Sequence, residues 1–346
     1  MVDVGQRLSW PQSVIMDKHC VGGLPGNRTT PIVVAICAAL GMIMPKTSSR
    51  AITSPAGTAD TMETLAPVNL DAASVRRVVE TVGGCIAWGG AMSLSPADDV
   101  LVRIGRLLDM DAEGQMVSSI LSKKIAAGST HVVIDIPVGP TAKIRTPEAA
   151  ESLIEKLQLV ATGFGLQVSC MVTEGLQPVG RGIGPALEAH DVLAVLRGDQ
   201  GAPVDLRQRA ILIAGGALEL GGAVAAGRGE SAAESVLADG RAWTQFQRIC
   251  EAQGGMRTPG RAALQRVWPA SHSGCVVHIN NRKVAKLAKL AGAPDVKTAG
   301  LEMHVQLGRE IVAGQPLFTV HSDAAGELDY ALDFAAANLD MIGIEA

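Results

Sequence analysis

Short apolar runs and helical stretches take turns along the first half of the chain, and this alternation constrains the fold more than any other feature. The runs at 13–16, 85–88, 131–136 and 167–172 read as strands, with a further extended piece around Met42 to Lys46. Between them the spacing predicts helices from about Pro31 to Leu40, Asp71 to Val82, Asp111 to Ala127 and Glu148 to Gly163. Asp71 suits a helix N-cap, and Gly83-Gly84 and Gly128 suit helix ends. Strands joined by helices imply parallel pairing with crossover connections. From Asp205 to Gly240 two helices are predicted, broken at Gly221-Gly222.

After Thr258-Pro-Gly260 the pattern changes. An extended segment at Gly274 to Asn280, a helix at Lys283 to Leu290 and mostly extended chain from Leu301 to Val320 suggest a smaller unit. The expected fold class is α/β. A large mixed or parallel-sheet domain with flanking helices covers 1–92 and 128–258, and a C-terminal α+β domain covers 259–346.

Composition narrows the function classes. Hydrophobic residues make up 47% of the 346 and charged residues 18%, which excludes a disordered chain. The net charge of −4 without a basic block argues against nucleic acid as a partner, so any bound anion needs a local site. The longest apolar run, Ile32 to Met44 between two prolines, is too short to span a bilayer. No signal sequence opens the chain, so no membrane partner and a cytoplasmic location are expected. Six cysteines without a CxxC pair suggest buried thiols rather than a disulfide framework or a zinc cluster.

The densest stretch is Asp17-Lys-His-Cys-Val-Gly-Gly-Leu-Pro-Gly-Asn-Arg-Thr-Thr-Pro31. It follows a strand and precedes a helix. Gly22, Gly23 and Gly26 allow close backbone approach, Thr30 suits an N-cap and Pro31 a first helical residue. A strand, a Gly-rich loop and a helix N-terminus together form an anion site, to which Lys18 and Arg28 add charge. A tight strand-to-helix turn is the plainer alternative. The Walker A spacing is absent, which disfavours nucleoside triphosphate hydrolysis.

A second cluster, Lys46 to Asp60, carries the hydroxyls of Thr47, Ser48, Ser49, Thr53 and Ser54 beside Arg50, suited to phosphate and sugar oxygens or to a solvated loop. Asp111, Gln115, Ser119 and Lys123 are four apart and share one helix face, which fits a cleft or ordinary solvent exposure. Lys143 is similarly open to both readings.

Together these residues resemble the thymidine phosphorylase/AMP phosphorylase family, the second type of nucleoside phosphorylase. Asp17 to Gly23 matches its signature DKHSxGG, and Ser119-Ile-Leu-Ser-Lys-Lys124 matches its SILSKK helix. The likeness runs through nearly the whole chain. It is strongest to the AMP phosphorylase-like branch, which shares Pro25 and carries KTSSRAITSxAGTAD, as in Lys46 to Asp60.

Carried over position by position, the resemblance implies that Lys18, Thr30, Ser48 and Thr58 hold inorganic phosphate. It implies nucleoside or nucleotide contacts from Gly23, Ser49, Arg50, Ala51, Ile52, Thr53, Ser54, Thr58, Ser119 and Lys143. Asp111 falls at the proton-donor position of AMP phosphorylases, and His19 and Lys123 at base-contacting positions of the pyrimidine enzymes. These three are the catalytic candidates. Cys20 stands where the family has a phosphate-binding Ser, and Arg103 and Arg106 are candidates for a base-binding Arg. No metal and no cofactor are implied.

The implied activity is that of a pentosyltransferase. It is reversible phosphorolysis of a pyrimidine nucleoside, thymidine and phosphate giving thymine and deoxyribose 1-phosphate. The alternative is phosphorolysis of AMP or another nucleoside 5′-monophosphate to ribose 1,5-bisphosphate. The resemblance further implies that 93–127 is a remnant of a small helical domain, that an upstream segment is missing, and that the full-length protein is a homodimer. A fragment whose large domain folds and binds phosphate, with weak or absent turnover, is therefore expected.

An anthranilate phosphoribosyltransferase-like enzyme is the related rival. It needs acidic magnesium ligands near the Gly loop, for which Asp17 and Asp60 are the candidates. A non-catalytic module is a further rival, from a vague likeness of Gly308 to Val320 to a biotinyl/lipoyl hammerhead. That stretch lacks a modifiable Lys at a hairpin tip.

Overall fold

The computed structural model describes residues 4–51, 54–98, 100–101 and 113–345. Strand β1 (Met16–Cys20) runs into the interior, burying Met16, Asp17 and Lys18. Helix α1 (Thr30–Ala39) follows, with Ile32 through Cys37 wholly shielded from solvent. A helix apolar on every side belongs inside a protein, and α1 is covered accordingly. Strand β2 (Met44–Ser48), α2 (Thr58–Glu63), α3 (Ala72–Val82) and β3 (Gly84–Trp88) come next. Asp71 caps α3 by accepting from the Ser74 N–H, and Gly83 ends it at φ +76°, as the sequence predicts.

Helix α4 (Glu113–Ala126), β4 (His131–Val138), α5 (Pro147–Gly163) and β5 (Gln167–Glu174) extend the sheet on its other side. β1 pairs with β4, β4 with β5 and β2 with β3, all in parallel. An Ile15–Ile43 bridge and the Met16 N–H donating to Ile43 O at 2.9 Å join β1 to β2. The strand order is thus β3-β2-β1-β4-β5. The chain leaves β1 in one direction and reaches β4 in the other. At such a reversal the loops leaving the two central strands diverge and open a crevice at their C-terminal ends. Cys20, the last residue of β1, lies opposite Asp135 there.

Helices α6 (Pro185–Arg197), α7 (Val204–Leu220), α8 (Gly229–Ala238) and α9 (Arg241–Ala252) pack on α1 or on one another. The break between α7 and α8 falls where Gly221-Gly222 predicts it. α6 and α9 were not anticipated. In α9 the buried Ala242, Phe246, Ile249 and Cys250 recur at helical spacing, a stripe that was legible.

The C-terminal part holds β7 (Leu264–Pro269), β8 (Gly274–Ile279), α10 (Asn281–Leu290), β9 (Gly300–Met303), β10 (Glu310–Ile311), β11 (Pro316–Ser322), α11 (Ala325–Ala337) and β12 (Ile342–Glu345). With β6 (Gly182–Ile183) these strands make two antiparallel sheets, ordered β6-β9-β11-β7 and β10-β8-β12. Leu287, Leu301 and Phe318 belong to its own apolar cluster. That cluster also takes in Ile183, so a strand from upstream of Pro259 completes this sheet. Among the described residues no helix is long and apolar enough to cross a membrane.

Candidate functional site

The Gly-rich loop lies at the crevice between β1 and β4. Gly22, Gly23, Gly26 and Asn27 all have positive φ, so the loop coils tightly before α1. A Cβ on Gly23 would sit 2.2 Å from the Lys143 N, so only glycine lets these two backbones meet. One local expectation is corrected. The N-cap of α1 is Thr29, not Thr30, and no side chain caps the helix. The Thr29 hydroxyl instead accepts from the Lys18 ammonium at 2.7 Å, and the Thr30 hydroxyl does so at 3.5 Å. Lys18 is 1% exposed, and among the described residues no carboxylate forms an ion pair with it. Burial lowers its pKa, opposed by Cys20 and Asp135. The arrangement is a buried cation beside an uncapped helix N-terminus, both favourable to an anion.

Behind the loop stands a polar network that sequence reasoning missed. Asn27 donates to Asp135 at 3.2 Å and to the Cys20 sulfur at 3.4 Å, and Thr173 donates to Asp135 at 2.6 Å. Arg209 donates to the Thr173 hydroxyl at 3.0 Å. Burial, then Asp135, pushes the Cys20 thiol up to about 12, so it stays protonated. An Asn inside a Gly-rich loop was the available signal, because Asn tolerates left-handed backbone and bonds locally.

A second buried cluster underlies β1. Asp17 has no exposed surface and pairs with Lys124 of α4 at 2.9 Å and Lys46 of β2 at 3.4 Å. It also accepts from the Lys18 N–H at 2.6 Å and the Ser129 hydroxyl at 3.3 Å. Burial alone would raise the Asp17 carboxyl, but the two ammonium groups hold it below its ordinary value. Next along the strand, burial and the surrounding Lys124, Lys46, Lys123 and Lys18 push His19 well below the usual imidazole value. His19 is thus neutral at pH 7. It can donate or accept a hydrogen bond but does not act as a charged acid.

The Ser/Thr segment follows β2. The Ser48 hydroxyl oxygen is buried without a hydrogen-bond partner among the described residues. Thr58 opens α2 and accepts from the Arg28 guanidinium at 2.7 Å. Arg28 also pairs with the buried Glu188 at 2.7 Å, and Glu188 accepts from Thr61 at 2.9 Å. Ser49 and Ser54 are exposed, and Ser54 donates to Ala56 O at 2.9 Å. Arg50 turns its guanidinium inward to Glu63, at 2.7 Å through both terminal nitrogens, and stacks 4.8 Å from the Trp88 ring centre. Ala51 donates its N–H to Asp60 at 2.6 Å. Ile52, Thr53, Asp111, Arg103 and Arg106 lie outside the described residues.

On α4, Lys123 pairs with the buried Asp98 at 2.7 Å and donates to Ser119 at 3.3 Å. Lys143 is exposed on the loop after β4, against Gly23. The structure thus brings Lys18, Thr30, Gly23 and Lys143 to one loop. The proposed magnesium ligands of the phosphoribosyltransferase rival are both engaged elsewhere. Asp17 is closed over by two lysines, and Asp60 accepts from Arg50, Ala51, Gly57 and Lys297.

The glycosyl transferase family a/b domain is matched over residues 12–243. The chain belongs to that family. Relatives carrying the name "Putative thymidine phosphorylase" include those of Chelativorans sp. (strain BNC1), 64% identical over 346 residues, and Tolumonas auensis, 60% identical over 345. All of this chain is covered in both cases, and 68% of each relative, so the chain spans about two thirds of their length. The fold of this glycosyl transferase chain is shared with anthranilate phosphoribosyltransferases. The structure from Thermus thermophilus matches with TM-score 0.55 at 18% identity, covering 73% of this chain and 82% of that one. A Saccharomyces cerevisiae structure with PRPP and Mg matches with TM-score 0.54 at 13% identity, covering 72% and 77%.

Proposed function

We propose that this glycosyl transferase family member catalyses the reversible phosphorolysis of a pyrimidine nucleoside, thymidine giving thymine and deoxyribose 1-phosphate. One observation carries the reading. The Lys18 ammonium is buried within the central strand, held by Thr29 and Thr30 hydroxyls and lacking a carboxylate partner among the described residues. A buried cation so placed is costly unless an anion joins it. Inorganic phosphate supplies the missing charge, bound by the loop amides, Lys18, Thr30 and the unpartnered Ser48 hydroxyl.

The phosphate oxygen attacks C1′ as the glycosidic bond breaks, through an oxocarbenium-like transition state. The base leaves with the bonding electrons and needs a donor. His19, neutral in its ring of ammonium groups, and Lys123 hold the base by hydrogen bonds. Asp111 is the proposed proton donor, a role that requires its pKa to be raised by burial.

A second reading, phosphorolysis of a nucleoside 5′-monophosphate, is supported by the Lys46 to Asp60 segment, whose exposed Ser49 and Ser54 hydroxyls suit an added phosphate. A panel of thymidine, uridine, AMP, CMP and UMP, followed by release of sugar 1-phosphate, separates the two. Activity on none of them, also from a protein of the full length of these relatives, overturns both.

Phosphate binding is testable without turnover. A ligand that binds only the folded state at 100 times its Kd adds about 2.7 kcal/mol. Titration with phosphate is expected to raise Tm by roughly 3–8 °C. A flat titration overturns the assignment of the loop.

A further inference from the structure

The C-terminal part of the chain reaches into the Ser/Thr segment through one side chain. Lys297 lies between α10 and β9, and its ammonium donates to Asp60 at 2.9 Å and approaches Glu63 at 3.6 Å. Its backbone carbonyl accepts from the Ala186 N–H at 2.8 Å, which anchors it on the first turn of α6. Asp60 is 2% exposed and is the hub of the segment. One carboxylate oxygen accepts from the N–H groups of both Ala51, at 2.6 Å, and Gly57, at 3.1 Å. The other accepts from Arg50 and Lys297. The two ends of the 51–57 stretch are therefore pinned to a single atom. They touch there, since a Cβ on Gly57 would lie 2.5 Å from the Ala51 N.

We infer that Lys297 is a positioning residue that fixes, through Asp60, the Ala51 and Gly57 backbone beside the proposed nucleoside contacts, so that the C-terminal part of the chain tunes nucleoside binding. This rests on the proposed reading of Ser49 to Ser54 as nucleoside contacts. A carboxylate with four donors has its oxygens fixed in place, and the two amides it holds inherit that placement. Without Lys297, Asp60 keeps Arg50 and both amides, so the fold survives while the hub gains freedom to rotate. Phosphate binding is expected to change less, because Lys18 and Thr30 lie on β1 and α1, away from Asp60, and the Thr58 hydroxyl accepts from Arg28.

The test compares Lys297→Met and Lys297→Arg with the unaltered chain. Lys297→Met is expected to raise nucleoside KM at least fivefold while phosphate KM and kcat change less than twofold, and Lys297→Arg to restore most of the loss. Hydrogen exchange at the Ala51 and Gly57 amides is expected to quicken in Lys297→Met alone. Equal nucleoside KM with unchanged exchange overturns the inference while leaving phosphorolysis standing. If the unaltered chain turns over no nucleoside, the substrate panel judges the functional reading, and the exchange rates still decide whether Lys297 holds the Ala51 and Gly57 amides. A misfolded Lys297→Met, seen by circular dichroism, would show Lys297 to be a general structural support and overturn the inference.

Discussion

Asp17→Asn is expected to lower the unfolding free energy by about 3–5 kcal/mol, the cost of leaving a buried charge without its partner. The amide keeps the shape of the side chain but removes the carboxylate shared by Lys46 and Lys124, both nearly inaccessible to solvent. That is a large fraction of the 5–15 kcal/mol that holds a typical domain together. The pH dependence gives a second readout. In the unaltered protein the folded Asp17 pKa lies below its unfolded value. Its contribution is therefore complete above the unfolded value of about 3.9 and is lost as pH falls through the folded pKa. The gap between the two proteins should narrow in acid, where the unaltered protein loses the Asp17 contribution. Burial lowers the Lys124 pKa, so the folded state binds fewer protons there and stability rises with pH toward the unfolded lysine value of about 10.4. Removing Asp17 deepens that depression, so the variant should recover stability as pH is raised. Urea unfolding from pH 3 to 10 measures both slopes. A loss below about 1 kcal/mol with no pH dependence would mean that the triad does not hold β1, β2 and α4 together.

The second large effect is on phosphate. Lys18→Met keeps the length and apolar stem of the side chain and removes the ammonium. A charge-assisted hydrogen bond is worth about 1.5–3 kcal/mol, so phosphate KM should rise roughly 10- to 150-fold. Nucleoside KM should change little, and the rise of Tm with phosphate should shrink or vanish. The apo protein should be no less stable, because exchanging an unpaired buried charge for an apolar chain of similar volume is typically neutral or favourable. That combination separates an anion-binding lysine from a structural one. A destabilised apo protein with unchanged phosphate KM would sink the assignment.

Much of this site is readable from neighbours along the chain. The Gly-rich turn, the helix that follows it, the Asp71 cap and the strand at His131 depend on local backbone preference and on the spacing of apolar side chains, and each stands where the sequence puts it. The DKHSxGG-like and SILSKK stretches likewise carry the family in a few contiguous residues. Thr30 shows the limit of local rules. It looks like a cap, yet the preceding Thr29 takes that place and turns its hydroxyl to Lys18, because a buried ammonium competes more strongly for it than the helix N–H groups do.

The partners of buried charges were out of reach. Asp17 meets Lys124 and Lys46, Arg28 meets Glu188 across 160 residues, and Asp60 meets Lys297 across 237. Nothing in the local pattern distinguishes Lys297 or the buried Glu188 from ordinary surface charges. The strand order that places β1 between β2 and β4 selects the partners of Asp17, and the pairing of β9 with β6 brings Lys297 within reach of Asp60. Periodicity tells each residue which face it occupies. Which charge waits on the other side of that face depends on register and packing between distant segments, and there the energy of burying an ion is either met or left unmet.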